Sequence, residues 1–150
     1  MASVATYLNF DGTCEEAFAF YRDAFGGEYT DDPMYMRDMP PEPGQPPLAE
    51  GEGDRIMHMA LDIVAGHRLM GSDILPSMGH VLTPGNAMYV TITLDDEDSA
   101  RELFAKLSEG GRVTMEPTPM FWGDLYSDFM DRYGIQWMVM APLTEGTGLA

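Results

Sequence analysis

The chain repeats itself, and the repeat constrains what it can fold into more than any single residue does. With the first half shifted by 84 positions, Leu8, Phe10 and Asp11 fall on Ile92, Leu94 and Asp95, and Phe20 falls on Phe104. Arg22 meets Lys106, and Gly26-Gly27 meets Gly110-Gly111. Each copy has the pattern of a strand, an amphipathic helix and a Gly-Gly stop, a unit that must bury one face to be stable. Further on, the turns Ala65-Gly66-His67 and Tyr133-Gly134 stand 68 positions apart, 16 fewer than the first register. Residues 39–54, dense in proline, glycine and acid, supply an insertion of that length. Such a segment sustains neither helix nor central strand, and it is expected to be either a lid over a pocket or a disordered loop.

The first helix is predicted to open on Thr13-Cys14-Glu15-Glu16, which has the Thr-x-x-Glu form of a capping box. Its apolar face is Ala17, Phe18, Tyr21, Ala24 and Phe25. The second helix presents Ala100, Leu103, Phe104 and Leu107 and begins at Asp95-Asp96-Glu97-Asp98. Those acids suit the positive end of a helix dipole; as a metal cluster they are disfavoured, because consecutive helical residues point apart. Strands are expected over residues 28–36, 56–64 and 68–73 in the first copy and 112–116, 125–132 and 135–140 in the second. Leu75–Gly85 links the copies, and Pro117–Gly123 is a loop. The outcome is an α+β fold of one domain, 1–150, made of two βαβββ modules, about 3–74 and 86–142.

Composition excludes several function classes. One lysine and seven arginines face 25 acids, for a net charge of −17, so no basic cluster is available to neutralise nucleic acid phosphates. The same acidity disfavours an anionic membrane surface, and no apolar run approaches the ~18 residues of a membrane helix. No signal peptide is visible at Met1–Thr6, and the single Cys14 fits a reducing cytoplasm. Cys14 is expected to be a packed thiol despite its place in a first helical turn. The 14 methionines are expected to act as adaptable core filler.

Several segments together resemble one family. They are Tyr7-Leu8-Asn9-Phe10-Asp11-Gly12, Glu16-Ala17-Phe18-Ala19-Phe20-Tyr21, Phe25-Gly26-Gly27 and Ile56-Met57-His58, followed by Leu69-Met70-Gly71-Ser72-Asp73, Phe121-Trp122-Gly123 and Asp131-Arg132-Tyr133-Gly134-Ile135-Gln136-Trp137-Met138. Across nearly the whole chain the sequence resembles the PhnB-like group (3-demethylubiquinone-9 3-methyltransferase-like) of the vicinal oxygen chelate, or glyoxalase/bleomycin resistance/dioxygenase, superfamily. The resemblance implies paired βαβββ modules forming a curved mixed sheet, or cup, with helices on its outer face, a homodimer, and a small-molecule site in the cup. It does not imply methyltransferase chemistry: Gly26-Gly27 ends a helix, whereas a cofactor-binding glycine loop opens one.

Catalytic members of the superfamily hold a divalent metal with His and Glu from the first and last strands of both modules. By the resemblance these places fall near Ala5–Tyr7, Met70, Tyr89 and Met138, and none of them is His, Asp or Glu. No metal or other cofactor is therefore expected. His58 is the one nearby candidate for a ligand or for an acid/base catalyst, although a lone strand histidine is more often structural. His67 and His80 are expected to be solvated. The Phe121-Trp122-Gly123 loop either lines the mouth of the cup or packs across a dimer seam. Small-molecule binding without a metal, through Tyr7, Asn9, His58, Tyr89, Thr91, Trp122 and Met138, is the expectation. The alternatives are a metal-dependent lyase, isomerase or dioxygenase, and a dimeric interaction module without a ligand.

Overall fold

A computed structural model of the chain describes residues 1–144, which fall into two compact units, Met1–Thr83 and a second that begins at Pro84. The first contains β1 (Thr6–Phe10), α1 (Cys14–Phe25), β2 (Glu28–Tyr29), β3 (Met34–Tyr35), β4 (Ile56–Asp62) and β5 (Arg68–Asp73). Its strands run β1-β5-β4-β2, with β3 also on β4; β1 and β5 are parallel and the others antiparallel. The second contains β6 (Val90–Thr93), α2 (Glu97–Ser108), β7 (Arg112–Pro119), β8 (Asp124–Met130) and β9 (Gln136–Pro142) in the order β6-β9-β8-β7. Each unit is thus one helix and one mixed sheet, the α+β pattern expected from the repeat.

Each helix covers one face of its own sheet. In the first unit Leu8, Phe10, Met59, Leu61 and Leu69 are buried with Ala17, Phe18 and Tyr21. The aromatic rings meet edge to face, Phe10 against Phe18 at 6.3 Å and Phe18 against Tyr21 at 5.9 Å. In the second, Ile92, Leu125, Phe129, Trp137 and Val139 are buried with Ala100, Leu103 and Leu107. Each large side chain so buried contributes roughly 1.5–3 kcal/mol, so these two layers dominate the stability of the units. The alternating residues of the same strands point away from the unit's own helix.

The Gly-Gly stops have a shared geometry. Gly26 and Gly110 take positive φ, 70° and 75°, the left-handed conformation that ends a helix at low cost. Gly27 and Gly111 do a different job. A Cβ on Gly27 would lie 2.4 Å from the Asp62 carbonyl oxygen, and one on Gly111 would lie 2.2 Å from that of Met130. The chain leaving each helix is pressed against a strand backbone of its own unit.

Three expectations need correction. The Thr13–Glu16 capping box does not form, since Thr13 makes no side-chain cap bond. The buried Asp73 at the end of β5 takes over: its Oδ1 accepts from the backbone N–H of Gly12 (2.9 Å) and Cys14 (3.0 Å), and its Oδ2 from that of Ile56 (2.9 Å). One carboxylate thereby ties the helix start, β4 and β5 together. The strand expected over residues 28–36 is broken into the two-residue β2 and β3, because Asp31-Asp32-Pro33 interrupts it and proline cannot donate to a ladder. His67, expected to be solvated, is half-buried with its Nε2 2.9 Å from Thr6 Oγ1, whereas His80 is exposed as expected and its Nδ1 accepts from Leu75 N at 3.1 Å.

At α2 the acids do what a cap requires, as Asp96 Oδ1 accepts from Ser99 N at 2.8 Å. The insertion is irregular, as expected, but its far end is tied down. Buried Glu52 accepts from the Ser77 hydroxyl and from the backbone N–H of Ala49 and Ser77, bonds that hold its carboxyl below the usual carboxylate range. Arg37 clamps the two ends of the insertion through Asp54 at 2.9 Å. Cys14 is buried beside Asp73; burial, reinforced by that carboxylate and Glu15, pushes its thiol pKa far up. No helix among the described residues is long and apolar enough to cross a membrane.

Candidate functional site

The uncovered sheet faces carry the residues singled out from the sequence. On unit 1, Leu8 and Phe10 turn to the helix and leave Tyr7 and Asn9 on the open face; Tyr7 is 47% exposed. Tyr7 stands opposite Met70 of β5, and Met70 stands opposite Ala60 of β4. The Tyr7 and His58 rings are neighbours, with centroids 6.0 Å apart and planes tilted by 34°. Tyr7, Asn9 and His58 therefore share one surface.

Unit 2 carries the other four. Thr91 pairs with Met138 and its hydroxyl donates weakly to the Met138 sulfur at 3.7 Å. Trp122, on the turn before β8, packs edge-on against Tyr126 at 5.9 Å. Tyr89, one residue ahead of β6, lines a cleft of about 650 Å³ together with Pro84, Gly85, Asn86, Arg112, Val113, Thr114, Met130 and Gln136. That volume lies in the range of small-molecule sites. Arg112 offers it a cation, Asn86 and Gln136 offer amides, and Met130, Val113 and Pro84 offer apolar wall.

Residues that sequence reasoning missed complete this face. On β8, Leu125, Ser127 and Phe129 are buried toward α2, so Tyr126, Asp128 and Met130 alternate onto the open side. The Tyr126 hydroxyl donates to Asp128 Oδ2 at 2.7 Å. Desolvation first, then the hydrogen bond and charge of Asp128 with a smaller effect of Tyr89, push the Tyr126 phenol up to about 12. The alternation of β8 is itself a sequence signal for them.

That phenol makes a pH prediction. Its folded pKa lies above its ordinary value of 10.0, so its contribution to stability is fully present below pH 10 and is lost as pH rises through about 12. Spectrophotometric titration of tyrosinate should show a late-ionising component that is smaller by one phenol in Tyr126→Phe. Loss of the missing phenol's amplitude from the ordinary range near pH 10, with the late component unchanged, would contradict the assignment.

The places that the resemblance gives to a family metal, near Ala5–Tyr7 and Met70 in one unit and near Tyr89 and Met138 in the other, carry no His, Asp or Glu; Thr91 pairs with Met138, and Gln136 stands two residues before it on the same strand. Phenols, thioethers, an amide and a hydroxyl are a poor donor set for a hard or borderline divalent ion. Among the described residues, no three or more His, Cys, Asp or Glu are grouped so as to hold a metal. The residues present do not fit that group.

Comparison with known proteins agrees with this architecture. The family model of the Glyoxalase/Bleomycin resistance protein/Dioxygenase superfamily matches residues 4–139. Protein YjdN of Escherichia coli (strain K12) is 26% identical over 146 residues, covering 91% of this chain and 92% of that protein. The crystal structure of protein PA1353 from Pseudomonas aeruginosa is similar at a TM-score of 0.82 and 31% identity, over 96% of this chain and 100% of that one. A putative 3-demethylubiquinone-9 3-methyltransferase, the PhnB protein from Bacillus cereus, shares the fold at a TM-score of 0.71 and 24% identity, over 95% and 100% of the two chains.

Proposed function

The chain belongs to the glyoxalase/bleomycin resistance protein/dioxygenase superfamily, and from that premise we propose that it binds a small organic molecule on the open face of unit 2, without a metal at the superfamily's usual place. The observation that carries this reading is the cleft of about 650 Å³ at Tyr89, lined by Met130 and Gln136 on the sheet face turned away from α2. Tyr89, Thr91, Met138 and Trp122 supply contact area, and Gln136 and Arg112 supply polar groups to orient the ligand. Tyr7, Asn9 and His58 form a comparable surface on unit 1. Such a mixture of aromatic and thioether surface with a few fixed polar groups is what ligand sites use.

Two measurements test the reading. Protein purified without chelator should hold only substoichiometric metal, and His58→Ala should leave that content unchanged. Benzyl alcohol, as a plain probe, should bind several-fold more weakly to Tyr89→Ala than to the parent protein. Stoichiometric metal lost on His58→Ala would favour the metal-dependent lyase, isomerase or dioxygenase reading instead. We also propose a homodimer, supported by the exposed apolar Phe121, 84% accessible on its turn, and by Val113 and Met115 on the edge strand β7. Sedimentation equilibrium should give twice the chain mass; a monomer at every concentration would contradict it.

A further inference from the structure

Among the described residues, two buried side-chain polar atoms lack a hydrogen-bond partner, Thr30 Oγ1 and Asp128 Oδ1. The second is the more costly. An ionised carboxylate oxygen shielded from water and left unpaired forfeits far more hydration than a hydroxyl does. Asp128 Oδ2 is satisfied by Tyr126 at 2.7 Å, so the side chain is held in place with its other oxygen unused. Orphans of this kind call for an explanation, and a missing ligand donor is one.

We propose that Asp128 anchors a protonated amine, or a similar cationic nitrogen donor, on an aromatic or apolar small molecule taken up by the open face of unit 2. The inference rests on the reading of that face given above and adds the chemical class of its ligand. One carboxylate oxygen can accept a charge-assisted hydrogen bond from an ammonium. It cannot serve a hard metal cation, which needs several oxygen ligands that this neighbourhood lacks. Tyr126 and, behind it, Trp122 provide aromatic surface that favours a cation with an apolar body. The cross-strand neighbours of Asp128 are Met115 and Met138, unbranched side chains that can swing aside to admit a ligand. A net charge of −17 raises the local concentration of any small cation. Arg112, at the end of the face beside Met130, would favour the opposite charge, and the test sets the two against each other.

Benzylamine, benzyl alcohol and benzoate share a body and differ in head group. Their binding at neutral pH is followed by amide chemical shifts in the parent protein and in the near-isosteric Asp128→Asn, with melting temperatures of both. Benzylammonium should bind roughly tenfold more tightly than benzyl alcohol to the parent protein, and Asp128→Asn should abolish that advantage. The variant should melt no lower than the parent, because it loses an uncompensated charge and keeps an oxygen for Tyr126. Equal binding of amine and alcohol, or tightest binding of benzoate, would overturn the inference while leaving the face as a ligand site. A lower melting temperature for Asp128→Asn would overturn it too, since the carboxylate would then be structural. If none of the three shifts Tyr89, Thr91 or Met138, the reading of the face fails, and the inference with it.

Discussion

Asp73→Ala should destabilise the folded chain by about 3–5 kcal/mol, enough to unfold a marginally stable domain. The carboxylate accepts from three backbone N–H groups, those of Gly12, Cys14 and Ile56. Alanine leaves all three without an acceptor, and the bonds of Cys14 and Ile56 lie where water has little access. Asp131 plays a similar part in the second unit: it is buried, its Oδ1 accepts from Tyr133 N and Ile135 N, and its Oδ2 accepts from Trp137 Nε1 at 2.8 Å. Asp131→Ala should therefore cost a similar amount. Urea denaturation of both variants measures it. A loss under about 1 kcal/mol in either would show that the freed donors find other partners.

Gly27→Ala and Gly111→Ala should each cost about 2–4 kcal/mol, because the added methyl meets backbone and not a side chain that could move. The contacts are 2.4 Å to the Asp62 carbonyl oxygen and 2.2 Å to that of Met130. Gly26→Ala is the control. It sits at positive φ with nothing within 4 Å of the added Cβ, so only conformational strain of about 1 kcal/mol is expected. If the first and second glycines of the pair cost the same, close approach of the backbones is not what fixes them.

Those glycines also show why the repeat was so informative. A Gly-Gly pair serves two needs at once, a left-handed helix end and a close backbone crossing, and few other sequences meet both. The halves could be aligned on it, and the helices, the insertion and most strands followed. Alternation likewise separated Leu8 and Phe10 from Tyr7 and Asn9 correctly. What the sequence hid was the non-local chemistry. Thr13 and Glu16 have the spacing of a capping box, but Asp73, 59 residues from Cys14, reaches the helix start first. The break between β2 and β3 is local and could have been inferred from Pro33. The site was legible only as a set of strand positions. Tyr89, Thr91, Met138 and Trp122 lie on one unit's open face; Tyr126 and Asp128 follow from the alternation of β8, whereas Arg112 and Gln136 join them through pairings between strands that no periodicity reveals.

The two buried aspartates and Asp128 illustrate one distinction. Asp73 and Asp131 have both oxygens filled by the protein's own donors, so they hold the fold together. Asp128 has one oxygen filled and one not, and it faces the side of the sheet without a helix. Stability alone does not favour that arrangement; a ligand does.

The most direct test of the central claim is a map of amide chemical shifts on titrating the protein with benzyl alcohol and benzylamine. Changes concentrated at Tyr89, Thr91, Met130, Gln136 and Met138, saturating with added ligand and indifferent to chelator, are the predicted result. Changes scattered over the surface, or a response that appears only after a divalent metal is added, would contradict it.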